Sequence, residues 1–242
     1  MPHPENPLSH VHNPEVIGNT RLFLFDLYDT AVDLNGTIKK GITGLDATID
    51  GVLFARRWRE QYSQLLDAFQ DGKIPWLDLD TLMRRGLEEV LPEFNLADAP
   101  SETKDKLIDA WYHPEPWPDT KNALERLRKK GYTMATMSNA TLTMQREIAK
   151  TIGIDFDYYF SSDAVEAYKQ NIRMFQQAFG QGFGTHEITM VANWLGDLKT
   201  AASANIGFNT AYVYRSKDPS EADFEADIAA RDLTELADVF GA

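Results

Sequence analysis

The chain contains no cysteine. That absence removes disulfides, thiolate nucleophiles, zinc–cysteine sites and iron–sulfur clusters together, and it agrees with a reducing, cytoplasmic setting. Long hydrophobic runs are missing too: no apolar stretch of the 242 residues is long enough to cross a bilayer. Positive charge is scarce, with 24 Lys and Arg against 37 Asp and Glu and a formal net charge of −13. Such a chain is a poor partner for nucleic acid or an anionic membrane, since both are polyanions. A small anionic substrate is compatible where a pocket gathers the few cations locally. The opening "MPHPENPLSHVHNPE" lacks the basic-then-apolar pattern of a signal peptide, and its prolines and polar residues read as a loose arm over residues 1–18. His3, His10 and His12 in that arm read as solvated side chains, not metal ligands.

What is present is an ordinary apolar content of 43%, enough for one substantial core or a core with a small inserted domain. Short apolar runs at residues 21–27, 132–140, 188–197 and 210–215 have the form of buried strands. The first three deliver polar residues at their carboxyl ends: Asp26, then Ser138 and Asn139, then Asn193 and Asp197. Helical stretches alternate with them. In "DTKNALERLRKKG", Asp119 is placed to cap, Leu124 and Leu127 share a face, and Gly131 ends the run. The alternation predicts an α/β fold, a Rossmann-like parallel sheet with helices on both faces and its site at the carboxyl edge. The core would comprise residues 19–44 and 114–242. Residues 45–113 carry no convincing strand, only amphipathic stretches at 51–69, 77–91 and 101–112, so they predict a helical cap inserted after the first strand.

In order along the chain, "FDLYDT", "ARRWREQY", "AWYHPEPWPDT", "TMSNA", "AYKQNIRMF" and "MVANWLGDL" resemble the motifs of the haloacid dehalogenase superfamily. The narrower resemblance is to its type II 2-haloacid dehalogenases and rests mostly on Tyr28 and Arg59. It implies hydrolysis of short 2-haloalkanoic acids, with no metal and no organic cofactor, preference for the S enantiomer, and often a homodimer. Asp26 would be the nucleophile, forming an ester that water then cleaves. Lys169 would keep Asp26 ionised, Asp197 would orient Lys169 and help activate water, and Arg59 would descend from the cap onto the leaving halide or the substrate carboxylate. Tyr28, Thr30, Ser138, Asn139 and Asn193 would line or bind the substrate pocket.

The superfamily's phosphatases usually place a second aspartate two residues after the nucleophile, to protonate a departing alkoxide. Here Tyr28 stands there, and a phenol of pKa ~10 is a poor match for that task. Halide is a weak base and leaves without a proton, so the substitution favours carbon–halogen cleavage. Other readings are a Mg²⁺-dependent phosphatase of the same superfamily, since Asp26, Asn193 and Asp197 offer oxygen ligands, and a catalytically weak binding protein on the same fold. Departures from the dehalogenase pattern are Asp29 in place of glycine, Phe175 in place of tyrosine, a shifted Asn193–Trp194 segment, and a longer spacing from Asp197 to Gly207.

Overall fold

The computed structural model describes residues 11–217, 220 and 222–242. Strand β1 (Leu22–Phe25) is fully buried, and its side chains alternate between two cores. Phe23 and Phe25 face one apolar layer with Leu124, Leu127 and Phe240, while Leu22 and Leu24 face another with Met174, Leu198 and Phe208. A strand buried on both faces reads as a continuous apolar run, which is why "LFLF" has no polar partner residues.

The remaining strands of the main sheet are β4 (Thr133–Ser138), β5 (Tyr158–Ser161), β6 (Ile188–Ala192), β7 (Asn209–Val213) and β8 (Ile228–Ala230). They lie in the order β5-β4-β1-β6-β7-β8, and every described pairing is parallel. A two-residue ladder joins β2 (Val32–Asp33) to β3 (Glu115–Pro116), tying the exit from β1 to the chain's return. Helices α6 (Thr120–Lys129), α7 (Leu142–Ile152) and α10 (Leu233–Val239) contribute to the layer around Phe23. Helices α8 (Ile172–Gln176) and α9 (Leu195–Ala202) contribute to the other.

Between β2 and β3 run α2 (Leu34–Leu45), α3 (Gly51–Gln70), α4 (Leu79–Val90) and α5 (Ser101–Tyr112). Asp33, Asp50 and Asp78 cap the first three by accepting from backbone N–H groups of the opening turn. Their apolar faces close a separate core of Ile38, Phe54, Trp58, Met83 and Trp111, which also meets Ala140 and Met144 of the sheet unit. Helix α2 also packs into this core through Leu34, Ile38 and Ile42, ahead of residue 45 where the sequence predicts the cap to begin.

Three further expectations change. Residues 11–18 are not a loose arm: Val11 bridges to Ile228, Asn13 donates to Asp227 at 3.0 Å, and Val16 is buried in α1 (Glu15–Asn19). His12 lies near Glu225, and His3 and His10 fall outside the described residues. The run at 188–197 stops being a strand at Ala192, and α9 starts at Leu195 so that Asp197 sits in a helical first turn. Asp119 does not cap α6, because its carboxylate accepts instead from Arg215 at 2.7 Å and from the backbone of Leu233 at 2.8 Å.

Candidate active site

Asp26 follows directly on β1, and its backbone N–H extends the ladder to Val191 O at 2.9 Å. The carboxylate is buried, 5% exposed, at the carboxyl edge of the central strand. Thr30 donates its hydroxyl to Asp26 Oδ2 at 2.6 Å and accepts from the backbone of Asn193 at 2.8 Å. Lys169 Nζ donates to Asp26 Oδ1 and, at 2.6 Å, to Asp197 Oδ2. One ammonium thus lies between two buried carboxylates. Burial pushes the Asp197 carboxyl up to about 6, opposed by Lys169 and reinforced by Asp26. Burial alone would lower the Lys169 pKa, but the two carboxylates reverse that and leave it above the ordinary lysine value.

Lys169 is held from both sides. Its backbone N–H donates to Asn139 Oδ1 at 2.7 Å, and the neighbouring Tyr168 phenol donates to Leu77 O at 2.6 Å in the helical unit. Glu166 and Gln170 adopt left-handed backbone, φ 47° and 73°, on either side of that pair. Asn139 in turn donates to the Tyr62 phenol of α3 at 3.0 Å.

Tyr28 is directed away from proton transfer. Its hydroxyl donates to Trp111 O at 2.9 Å, and its ring meets Trp111 edge to face. Burial, with Tyr62 and Tyr112 adding to it, drives its pKa well above the ordinary phenol value against the pull of Arg59. Arg59, on α3, forms an ion pair with Asp29 across the seam between the helical unit and the sheet unit. Beside them Lys217 donates to Asn193 O at 2.8 Å; burial lowers its pKa, and Asp29 opposes that.

The structure thus gathers Asp26, Thr30, Lys169, Asn193 and Asp197 into one hydrogen-bonded group, with Asn139 joined through the backbone of Lys169. Several side chains expected to touch substrate are already engaged. Asn193 Nδ2 donates to Val213 O at 2.7 Å, Ser138 Oγ accepts from Ala140 N, and both Asn139 amide atoms have partners. Phe175 is buried in the sheet core, and Trp194 is 60% exposed beside a cleft of about 600 Å³ that Asn193 and Lys217 also line.

Sequence reasoning missed Tyr62, Lys217 and Arg215. Arg215 donates to Thr30 O and pairs with Asp119, so it fixes the turn that carries Thr30. The available signal for Lys217 was its place just beyond the carboxyl end of the run at 210–215. Trp111 Nε1 is buried with no hydrogen-bond partner, an unpaired donor beside Tyr28. Among the described residues no group of three His, Cys, Asp or Glu is placed to hold a metal ion.

A family model described as haloacid dehalogenase-like hydrolase matches residues 20–205. An (S)-2-haloacid dehalogenase 4A from Burkholderia cepacia is 26% identical over 213 residues, 86% of this chain and 89% of its own. The crystal structure of a defluorinating L-2-haloacid dehalogenase superimposes with a TM-score of 0.83 at 30% identity, covering 92% of this chain and 96% of that one. A second L-2-haloacid dehalogenase structure gives a TM-score of 0.83 at 27% identity, covering 92% and 99%.

Proposed function

Because the chain belongs to the haloacid dehalogenase-like hydrolase family, we propose that it hydrolyses short (S)-2-haloalkanoic acids to 2-hydroxy acids through an ester on Asp26. The observation that carries this reading is Tyr28: the group two residues after the buried carboxylate is a neutral phenol already donating to Trp111 O. It offers no proton to an alkoxide, and halide needs none.

In the first step a carboxylate oxygen of Asp26 attacks C2 from the side opposite the halogen. The C–O bond forms as the carbon–halogen bond breaks, C2 inverts, and halide leaves with the bonding pair near Arg59. Lys169 pairs with Asp26 and orients one carboxylate oxygen, and Thr30 fixes the other. In the second step water attacks the carboxyl carbon of the ester. Asp197 takes a proton from that water and returns it to the departing C2 oxygen as the acyl C–O bond breaks, so the 2-hydroxy acid leaves with the oxygen that Asp26 contributed and the water oxygen stays in the Asp26 carboxylate. The helical unit acts as a cap, excluding water from the first step. No helix among the described residues is long and apolar enough to cross a membrane. The reading extends to a cytoplasmic homodimer acting on a small anion without metal or organic cofactor, and light scattering tests the assembly.

The test is a panel of 2-haloacids assayed for halide beside phosphate esters assayed for phosphate, each with EDTA and with Mg²⁺. Halide release that EDTA leaves unchanged is expected. Phosphate release restored by Mg²⁺, without halide release, would replace this reading with the phosphatase. A single turnover with excess enzyme in ¹⁸O-water should give unlabelled product and label in the peptide containing Asp26. Label in the product hydroxyl would make Asp26 a general base.

A further inference from the structure

Arg59 already has an anion. The Asp29 carboxylate engages Arg59 Nη1, and Asn35 reaches the other carboxylate oxygen at 3.4 Å. The pair is neither surface nor core, with the Arg59 side chain 29% exposed and that of Asp29 23%. Asp29 reaches Arg59 from a backbone position in the left-handed region, φ 62°, fixed by its N–H donating to Val32 O at 2.8 Å. The contact therefore comes from the turn that carries Asp26 and Thr30, and not from a flexible loop. Lys217 stands close enough to feel Asp26, Asp29 and Arg59 alike, so the charges at this seam are two cations and one competing carboxylate.

We propose that Asp29 is a specificity-determining residue, an internal carboxylate that competes for Arg59 with anions entering the site. This rests on the dehalogenase reading for its substrate. An incoming anion must replace the ion pair with Asp29, so a lone monovalent halide, with one diffuse charge and no planar fork, does so poorly. A 2-haloacid brings a carboxylate that matches the guanidinium fork and a halogen besides. The residue thereby filters out free halide, including the product halide, at the cost of weaker substrate binding.

The experiment compares wild type with Asp29→Asn and Asp29→Gly, both of which tolerate left-handed backbone and so preserve the turn. Propionate and chloride, which undergo no reaction, are titrated into each protein by calorimetry, and KM and kcat are measured with 2-chloropropionate. Removing the competing charge is expected to tighten chloride by about two- to fivefold and propionate by less, so that chloride becomes a stronger inhibitor relative to substrate while KM falls only modestly. Chloride binding unchanged or weaker in both variants, none measurable in any of the three proteins, or propionate tightened as much as chloride, overturns the proposal. So does a KM that rises while kcat falls, which would make Asp29 a positioning residue for Arg59. Halide release by wild type decides the dehalogenase reading separately: its absence sinks that reading, while the propionate and chloride affinities still decide the role of Asp29.

Discussion

Two clusters of three charged side chains flank the site, and they are built oppositely. Asp26, Asp197 and Lys169 are all under 10% exposed and sum to one negative charge when ionised. Arg59, Lys217 and Asp29 lie at the seam, partly open, and sum to one positive charge. The buried cluster holds its geometry through short hydrogen bonds that water does not reach, so its charges act on one another strongly. The seam cluster is screened and rearrangeable, and it carries one net positive charge on a chain of net charge −13. On the proposed reading, chemistry that needs fixed atoms belongs to the first, and admission of an anion belongs to the second.

The comparison is broken most severely at Asp26. Asp26→Ala is expected to lower kcat by about 10⁴-fold or more, since no other carboxylate stands at the end of β1; stopped-flow halide release measures it. Lys169→Met should abolish turnover and also destabilise the fold by roughly 3–5 kcal/mol in urea titrations, because two buried carboxylates lose their shared cation. Arg59→Ala should instead cost about 10²–10³-fold in kcat/KM while changing stability by no more than about 1 kcal/mol. Arg59→Lys should recover only part of that activity, since a point charge does not reproduce the fork. A stability loss at Arg59 as large as that at Lys169 would erase the distinction between the clusters.

The smallest effect is in pH. With Asp197 raised to about 6, activity should fall as pH drops through about 6, when the group proposed to receive the water proton is already protonated. The apparent value belongs to the coupled cluster and not to Asp197 alone. For stability the sign is the reverse. A carboxyl whose folded pKa is raised contributes stability that is fully present below its unfolded value of ~4 and lost as pH climbs through about 6. The wild-type advantage over Asp197→Asn in urea should therefore shrink over that window while kcat rises. Parallel trends would refute the assignment.

The four inner strands of the main sheet were legible because each is a short, largely apolar run buried along nearly its whole length. The two strands of the main sheet that sequence reading missed, β5 and β8, are its two edges. "YYFS" and "IAA" are short and only partly buried, and an edge needs no unbroken apolar run. Asp26, Lys169 and Asp197 were legible through motifs whose order along the chain is recognisable. Tyr62, Lys217 and Arg215 were not, because each reaches the site from a different element and does so only after folding. Asn193 shows the limit from the other direction: the residue was named, but its backbone N–H serves Thr30 and its amide serves Val213. Local pattern predicts where a side chain starts, not which partner it meets.

The sheet order also governs the sequence of events by which the molecule assembles. Strand β1 pairs only with β4 and β6, so the segment carrying Asp26 leaves the ribosome with neither neighbour made. Among the intervening helices the most extensive contacts, α3 with α4 and α2 with α3, join neighbours in sequence, and α2 with α5 spans the unit. Local contacts form faster than distant ones, so the helical unit should condense while "LFLF" is still waiting. Pulse-labelled hydrogen exchange during refolding should find the amides of α3 and α4 protected before those of Phe23 to Phe25. The segment that carries Asp26 is then expected among the last to become native, and for that interval it is an exposed apolar strand, the stretch where aggregation would begin.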